Sequence, residues 1–281
     1  MIIWLASYPK SGNTWIRAVL ISYYFTKDGI FSFNDLSRIP DYPNKIFLED
    51  DTDLNMIKDG EIYKFWHQSQ KKIVEQKKAK FLKTHNMLGS IKGVQFTKPE
   101  FSLGTVHIIR DPRNVITSIK NHLNFESYEK AFEYMKTENA FIKGEDNARF
   151  AFLGSWRTHY TSWMSDQTLR RITVKYEDLE KNTVSTFRKI IEFINKICRF
   201  NNNIDEKKLL NSINCTSFEK MSEGEKEGKF TENVINKHNQ KIKFFYMGPK
   251  NDWREILPDS MKKKMNDYFK KDLEILNYKN I

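Results

Sequence analysis

The first twenty-five residues of the chain constrain its fold more than any other stretch. Residues 2 to 7 (IIWLAS) form a short apolar run of the kind found in buried strands, and residues 14 to 25 carry apolar side chains at helical spacing. The tight loop between them, residues 8 to 15, reads YPKSGNTW. Such a loop presents unpaired backbone N–H groups at the positive end of a helix, which is a ready site for an anion. We therefore predict an α/β fold that begins with a phosphate-binding loop.

The side chains of this loop suit a phosphate. Lys10 supplies a mobile positive charge, and Gly12 lets the backbone approach an anion closely. Ser11 and Thr14 add hydroxyl donors. The common phosphate loop has a second glycine followed directly by Lys and then Ser or Thr, whereas Lys10 here precedes the only glycine of the loop. Trp15 is placed either to stack on a purine or to join the core.

A short strand at residues 81 to 86 (FLKTHN) ends in two basic side chains. Lys83 and His85 alternate with Thr84, so they share one face of the strand. In open α/β sheets the ligand site lies beyond the carboxyl ends of the strands. A lone histidine is more often structural than catalytic, but this position beside a predicted phosphate loop favours a general base. The histidines that would replace it in that role are His122 and His107.

A second phosphate-binding element is predicted at residues 104 to 118. A buried strand leads to Arg110, whose guanidinium offers a forked set of donors for a phosphate. Asp111 and Pro112 fit the N-cap and the first turn of the helix that follows, and Ser118 lies about two turns into that helix. The alternative for Arg110 is a salt bridge to a nearby carboxylate.

Composition adds bounds on the class of protein. The 281 residues can bury one full core without a break in composition, so we predict a single domain over 1–281. The formal net charge of +11 suits an anionic ligand and makes nucleic acid a possible partner. The lysines are scattered, however, so a solvated surface explains much of the excess and we expect no nucleic-acid partner. The two cysteines indicate neither a disulfide framework nor a clustered-cysteine zinc site. With no run of eighteen apolar residues and no basic leader, we expect a soluble, cytoplasmic protein without a membrane partner.

The motifs together resemble those of the cytosolic-type sulfotransferases that use 3′-phosphoadenosine 5′-phosphosulfate (PAPS). The octet at residues 8 to 15 resembles the 5′-phosphosulfate loop, KTH at 83 to 85 resembles the segment with the catalytic histidine, and the Arg–Ser pair resembles the 3′-phosphate motif. Further matching segments are YEDL at 176 to 179, CTSFEKM at 215 to 221 and the Gly and Asp-Trp of FFYMGPKNDW at 244 to 253. The ordered set, rather than any one tripeptide, carries the resemblance.

The resemblance implies a role for each residue of the predicted site. His85 would take a proton from the acceptor, and Lys10 and Lys83 would neutralise charge on the transferring group and the leaving phosphate. The donor would be held by Lys10, Ser11, Gly12, Asn13, Thr14, Trp15, Arg110, Ser118, Tyr176, Thr216, Phe218 and Gly248. Tyr246 and Met247 replace two basic residues of the family's last cofactor loop, and Lys243 or Lys250 is available to compensate. The family's dimer motif is absent, so no oligomeric state is predicted.

The predicted function is transfer of a sulfuryl group from PAPS to a hydroxyl or amine of a small-molecule acceptor, without a metal. The implied fold is a single α/β domain with a central parallel sheet flanked by helices. Two alternatives stay open, namely a magnesium-dependent nucleotide kinase and a non-catalytic nucleotide- or nucleic-acid-binding protein. We expect the acceptor pocket to involve residues 26 to 70, the stretch after His85 and the loop at 224 to 240. We also predict that residues 126 to 165 are helical and that 223 to 229 form a mobile loop.

Overall fold

A computed structural model of the chain describes residues 1–48, 57, 60–144, 150–232, 234–235 and 241–278. The strands are β1 Ile2–Ser7, β2 Lys80–Thr84, β3 Ser90–Ile91, β4 Val94–Gln95, β5 Ser102–Ile109, β6 Phe141–Lys143, β7 Phe150–Phe152, β8 Arg171–Lys175, β9 Val234–Ile235 and β10 Lys241–Ile242. The helices are α1 Asn13–Phe25, α2 Trp66–Glu75, α3 Pro112–His122, α4 Tyr128–Lys136, α5 Trp156–Ser165, α6 Tyr176–Lys181, α7 Thr183–Cys198, α8 Glu206–Cys215, α9 Phe218–Lys226, α10 Trp253–Ile256, α11 Asp259–Tyr268 and α12 Lys270–Ile275. Short 3-10 turns cover Phe33–Arg38, Lys45–Phe47, Glu61–Phe65 and Gly248–Lys250.

A four-stranded parallel sheet with the order β2-β1-β5-β8 lies at the centre of the fold. The strand β1 is buried along its whole length, and its side chains alternate between two cores. Ile3 and Leu5 pack with α1, α7 and α8, whereas Ile2 and Trp4 pack with α2 and with Trp163 of α5. A strand that is apolar on both faces is what a parallel sheet covered by helices on both sides requires.

The connections out of β1 and β5 leave the sheet toward different cores. The helix α1 follows β1 into one apolar cluster, and α3 follows β5 into a second cluster that also contains α4, α11 and α12. The strand β2 lies on one side of β1, whereas β5 lies on the other side. The direction in which strands are added to the sheet therefore reverses at β1. Such a switch point opens a crevice at the carboxyl ends of the strands.

Several predicted elements differ from the structure. Residues 126 to 165 are not all helical, because the aromatic segments β6 and β7 pair as an antiparallel hairpin in which the rings of Phe141 and Phe150 stack with centroids 4.8 Å apart. Residues 223 to 226, predicted as part of a mobile loop, belong to α9. A Cβ on Gly224 would lie 2.1 Å from the ring of Phe33, so this glycine permits close helix packing. The acidic residues 49 to 51 and most of residues 233 to 240 lie outside the described residues.

Among the residues that the structure describes, no helix is both long and apolar enough to cross a bilayer.

Candidate active site

A cavity of about 1380 Å³ lies at the carboxyl ends of the four central strands. Its walls come from the loop after β1, the end of β2, the residues that follow β5 and β8, the α8–α9 turn and the segment 244 to 251. Every residue of the predicted site except Ser11 lines it, namely Lys10, Gly12, Asn13, Thr14, Trp15, Lys83, His85, Arg110, Ser118, Tyr176, Thr216, Phe218 and Gly248. Ser11 is buried, and its hydroxyl has no partner among the described residues.

The loop after β1 has the backbone shape that an anion site needs. Gly12 is the N-cap residue of α1 with φ 98°, and no side chain caps the start of this helix. The side chain of Asn13 donates to Leu5 O (3.0 Å) and to Ser7 Oγ (3.1 Å), which ties the loop back to β1. The first N–H groups of a helix without a side-chain cap are available to a ligand.

Lys10 is half-buried and lies close to other cations. Its ammonium lies 3.5 Å from the ring centroid of Phe244 and 3.4 Å from the carbonyl oxygen of the same residue, to which it donates. Burial, together with the charges of Arg110 and Lys83, lowers the pKa of Lys10 to about 7. An anion bound beside Lys10 would favour its charged form, so this part of the cavity suits a phosphate or a sulfate group.

Arg110 points into the cavity without a carboxylate partner. Its guanidinium lies 3.9 Å from the ring centroid of Tyr176, and Nη1 donates to Lys10 O (3.2 Å). Nε is buried with no hydrogen-bond partner. Glu177 and Glu180 are close enough to feel the charge of Arg110, but neither forms an ion pair with it within the described part of the chain. The salt-bridge alternative is therefore not what this geometry favours. Ser118 accepts a hydrogen bond from Nδ2 of Asn251 (3.2 Å).

The residues predicted to contact adenine surround one end of the cavity. The indole of Trp15 packs edge-on against Tyr176 and Phe187, with centroids 6.0 and 5.6 Å away, so it belongs both to the core and to the cavity wall. Trp15 Nε1 is buried and has no partner in the described structure. The hydroxyl of Thr216 donates to Ser212 O (2.7 Å), and its oxygen can still accept a hydrogen bond. Gly248 faces the ring of Phe218.

The hydrogen bonds of His85 fix which ring nitrogen is free. Nδ1 lies 2.7 Å from the carbonyl oxygen of Ser7, and a carbonyl can only accept, so Nδ1 carries the proton. The Nε2 atom of the neutral ring then has a lone pair. Burial, and after it the charge of Lys83, lowers the pKa of His85 to about 4, so the ring is neutral near pH 7. This tautomer and charge state are those of a general base.

The two other histidines considered as bases differ in their access to the cavity. His107 is fully buried and does not line the cavity, so it cannot contact an acceptor there. His122 lines it, and its ring packs edge-on against Phe244 with centroids 5.7 Å apart. Burial lowers the pKa of His122 to about 3, so this ring is also neutral near pH 7.

Two cavity residues were not identified from the sequence. Asp41 forms an ion pair with Lys83 (2.8 Å), and Phe244 covers the ammonium of Lys10. Asp41 comes from the segment 26 to 70, which carries no chemical motif. Phe244 begins the matching segment 244 to 253 but is not one of its matching residues, so only the fold indicates a place for these two side chains at the strand ends. Within the described residues, no group of three or more His, Cys, Asp or Glu side chains is arranged to hold a metal ion.

Comparison with known proteins assigns the family. The family model described as "Sulfotransferase domain" matches residues 2–277. The chain is 23% identical to sulfotransferase 1A1 of Rattus norvegicus over 277 residues, which cover 98% of this chain and 85% of that protein. It is 22% identical to sulfotransferase 1E1 of Mus musculus, covering 96% of this chain and 82% of the relative.

Solved structures share the fold. Mouse sulfotransferase SULT7A1 complexed with PAP superposes with a TM-score of 0.58 at 17% identity, over 97% of this chain and 84% of that one. Retinol dehydratase in complex with androsterone and the inactive cofactor PAP also gives 0.58, at 16% identity, over 97% and 80% of the two chains. The predicted fold class is confirmed.

The chain belongs to the sulfotransferase family. This membership confirms the predicted enzyme class, a PAPS-dependent sulfotransferase, and none of the similarities favours a nucleotide kinase. The roles of the individual site residues stay predictions.

Proposed function

We propose that this enzyme transfers the sulfuryl group of PAPS to a hydroxyl or amine of a small-molecule acceptor, with His85 as general base. We also propose that the sulfotransferase domain spans the whole chain, residues 1–281. The observation that carries it is the single cavity that joins the loop after β1, Arg110 and His85 in a member of the sulfotransferase family.

The residues present fit an adenosine 3′,5′-bisphosphate group. Buried polar atoms without partners in the described structure face this region on Arg110 and Trp15, and the start of α1 lacks a side-chain cap. Unpaired buried donors are costly, so their presence in a cavity supports a ligand that accepts hydrogen bonds. Lys10 and the N–H groups of α1 would hold the 5′ side, and Arg110 with Ser118 would hold the 3′-phosphate.

The residues of the chain can perform the proton transfer. His85 receives the acceptor's proton at Nε2, while Nδ1–H stays bonded to Ser7 O and fixes the ring. Bound PAPS supplies an activated sulfuryl group, whose bond to the 5′-phosphate breaks as the bond to the acceptor oxygen or nitrogen forms. Lys10 and Lys83 provide fixed positive charge beside that position.

The acceptor side of the cavity supports a small molecule with an apolar part. Aromatic and aliphatic side chains from several segments line it, including Tyr42, Tyr134, Ile142 and Phe150. The structural neighbour retinol dehydratase is described in complexes with retinol and with androsterone. Small alcohols and phenols are therefore the first acceptors to screen, followed by amines and glycans.

The donor assignment is tested by thermal unfolding with two nucleotides. A ligand that binds only the folded state raises the melting temperature. We expect micromolar adenosine 3′,5′-bisphosphate to stabilise the protein much more than adenosine 5′-phosphate, because Arg110 and Ser118 are proposed to bind the 3′-phosphate. Equal stabilisation by both nucleotides would contradict the assignment of these two residues.

A further inference from the structure

A carboxylate beside the proposed base has no role in the scheme above. The Asp41 carboxylate is 2.8 Å from the Lys83 ammonium, and both side chains line the cavity. The two backbones are also joined, since Tyr42 N–H donates to Lys83 O (2.8 Å) and Lys83 N–H donates to Pro40 O (3.0 Å). This parallel bridge adds to the edge of the sheet beyond β2, so Asp41 is fixed by backbone pairing as well as by charge.

The pair lies where its charge acts on His85. Lys83 and His85 are two residues apart at the end of β2, and an ammonium close to an imidazole opposes its protonation. Four groups act on the His85 ring through their charge or polarity, namely Lys83, Lys10, Asp41 and the Ser7 carbonyl. The rings of His122 and His159 also interact electrostatically with His85. Asp41 is the one carboxylate in this described set.

The Asp41 carboxylate is charged at neutral pH. Although burial alone would raise the pKa of Asp41, the charges of Lys83 and Arg17 lower it to about 2. The charge of Arg17 is itself paired with Glu232 (2.6 Å), so Lys83 is the cation that Asp41 contacts.

We propose that Asp41 is a positioning residue for sulfuryl transfer: it holds the Lys83 ammonium in place and offsets its charge beside His85, which keeps Nε2 able to accept a proton. The proton leaves the acceptor's O–H or N–H group and forms an imidazolium on His85, next to Lys83. A negative charge on Asp41 stabilises that imidazolium. The inference rests on the proposed function of His85.

Removing the Asp41 charge has two consequences of opposite direction. In Asp41→Asn the Lys83 charge is no longer offset, so His85 becomes a weaker base and kcat falls. The same uncompensated ammonium attracts an anion more strongly, so adenosine 3′,5′-bisphosphate binds more tightly. Damage to the structure alone would weaken both the catalysis and the binding.

The test uses calorimetry with adenosine 3′,5′-bisphosphate and histidine-ring NMR of the full chain in that complex. The His85 signal is identified by its absence in His85→Gln. We expect Asp41→Asn to bind the bisphosphate several-fold more tightly and to titrate His85 at least about half a pH unit lower. Asp41→Glu keeps the charge and should resemble the wild type. Asp35→Asn is the matched control, because Asp35 pairs with Arg38 (2.6 Å) in the same segment but does not line the cavity.

A second variant keeps the test independent of how well the first one folds. Lys83→Met removes the opposing charge and leaves Asp41, so His85 should titrate at a higher pH than in the wild type. Unchanged His85 titration in Asp41→Asn, or no rise in Lys83→Met, overturns the proposal. Failure of the wild type to bind the bisphosphate would instead overturn the proposed function.

Discussion

At the scale of single residues, two glycines shape the donor side of the cavity. A Cβ on Gly12 would lie 2.4 Å from Cδ2 of Tyr176, and a Cβ on Gly248 would lie 2.5 Å from the ring of Phe218. Both glycines have positive φ, 98° and 56°. The sequence indicated that Gly12 admits an anion, but the ring that rests on it comes from a strand end more than 160 positions away, so local pattern could not reveal this second reason.

Gly12→Ala should displace Tyr176 and thereby the guanidinium of Arg110 that stacks on it. We expect affinity for adenosine 3′,5′-bisphosphate to fall about tenfold or more, equivalent to roughly 1.4 kcal/mol or more. Gly93→Ala is the control, because Gly93 also has positive φ (83°) but a Cβ there meets nothing within 4 Å. It should lose only about 1 kcal/mol of stability through backbone strain and keep its affinity. Equal losses of affinity in calorimetry would rule out the steric explanation.

At the scale of elements, the start of α3 links the donor site to distant parts of the chain. The Asp111 carboxylate caps the helix by accepting a hydrogen bond from Arg113 N (2.9 Å), and it also binds the Arg113 guanidinium (2.6 Å). The backbone N–H of Asp111 donates to the carboxylate of Glu177 (3.0 Å). Arg113 in turn donates to Tyr278 O (2.7 Å) and stacks on Trp253. The cap and Pro112 were predictable from adjacent residues. The role of Arg113 was not, because its partners outside this turn are remote in sequence.

Asp111→Ala should destabilise the protein far more than the loss of an ordinary cap. It leaves the buried Arg113 guanidinium without its carboxylate, which costs about 3–5 kcal/mol for a buried pair. Asp252→Ala is a matched control, because Asp252 caps α10 and binds Arg254 in the same arrangement. The side chains of Asp252 and Arg254 are 33% and 55% exposed, whereas those of Asp111 and Arg113 are 0% and 4% exposed. Removal of this exposed cap should cost only about 1 kcal/mol. Urea unfolding measures both, and similar losses would contradict the argument.

At the scale of the whole molecule, the sheet and the order of its motifs follow from sequence, while its buried polar groups do not. The apolar runs of β1 and β5 and the helices after them appear where periodicity predicts. The three-residue strands β6 and β7 are too short to give a periodic signal, so they were taken for helix. His107 on β5 and His159 on α5 are fully buried, and their ring nitrogens have no partners among the described residues. No local pattern indicates which histidines are buried.

These histidines make stability dependent on pH. Burial lowers the pKa of His107 to about 3 and that of His159 well below its usual value. The unfolded chain, with a histidine pKa near 6.5, therefore binds more protons than the folded one between about pH 6.5 and pH 3. Stability is fully present above pH 6.5 and falls as the pH is lowered through this range. For His107 alone the loss is about 2 kcal/mol at pH 5.

His107→Gln should lose less stability than the wild type between pH 7.5 and pH 5 in urea unfolding, whatever its stability at pH 7.5. The difference between the two pH values isolates the titration of one residue from the cost of the substitution. If the variant and the wild type lose equal free energy over this range, His107 does not titrate on unfolding as argued.

The rate of sulfuryl transfer in His85→Ala, compared with the affinity of this variant for adenosine 3′,5′-bisphosphate, tests whether His85 is the general base. The assay follows the transfer of a radioactive sulfuryl group from PAPS to the acceptor that the screen identifies. EDTA is present, because the predicted transfer needs no metal. Because His85 provides the free Nε2 atom and is proposed to contact no phosphate, turnover should fall about 10²–10⁴-fold. Affinity should stay within a few-fold of the wild type. Turnover equal to that of the wild type would show that His85 is structural and would contradict the proposed mechanism.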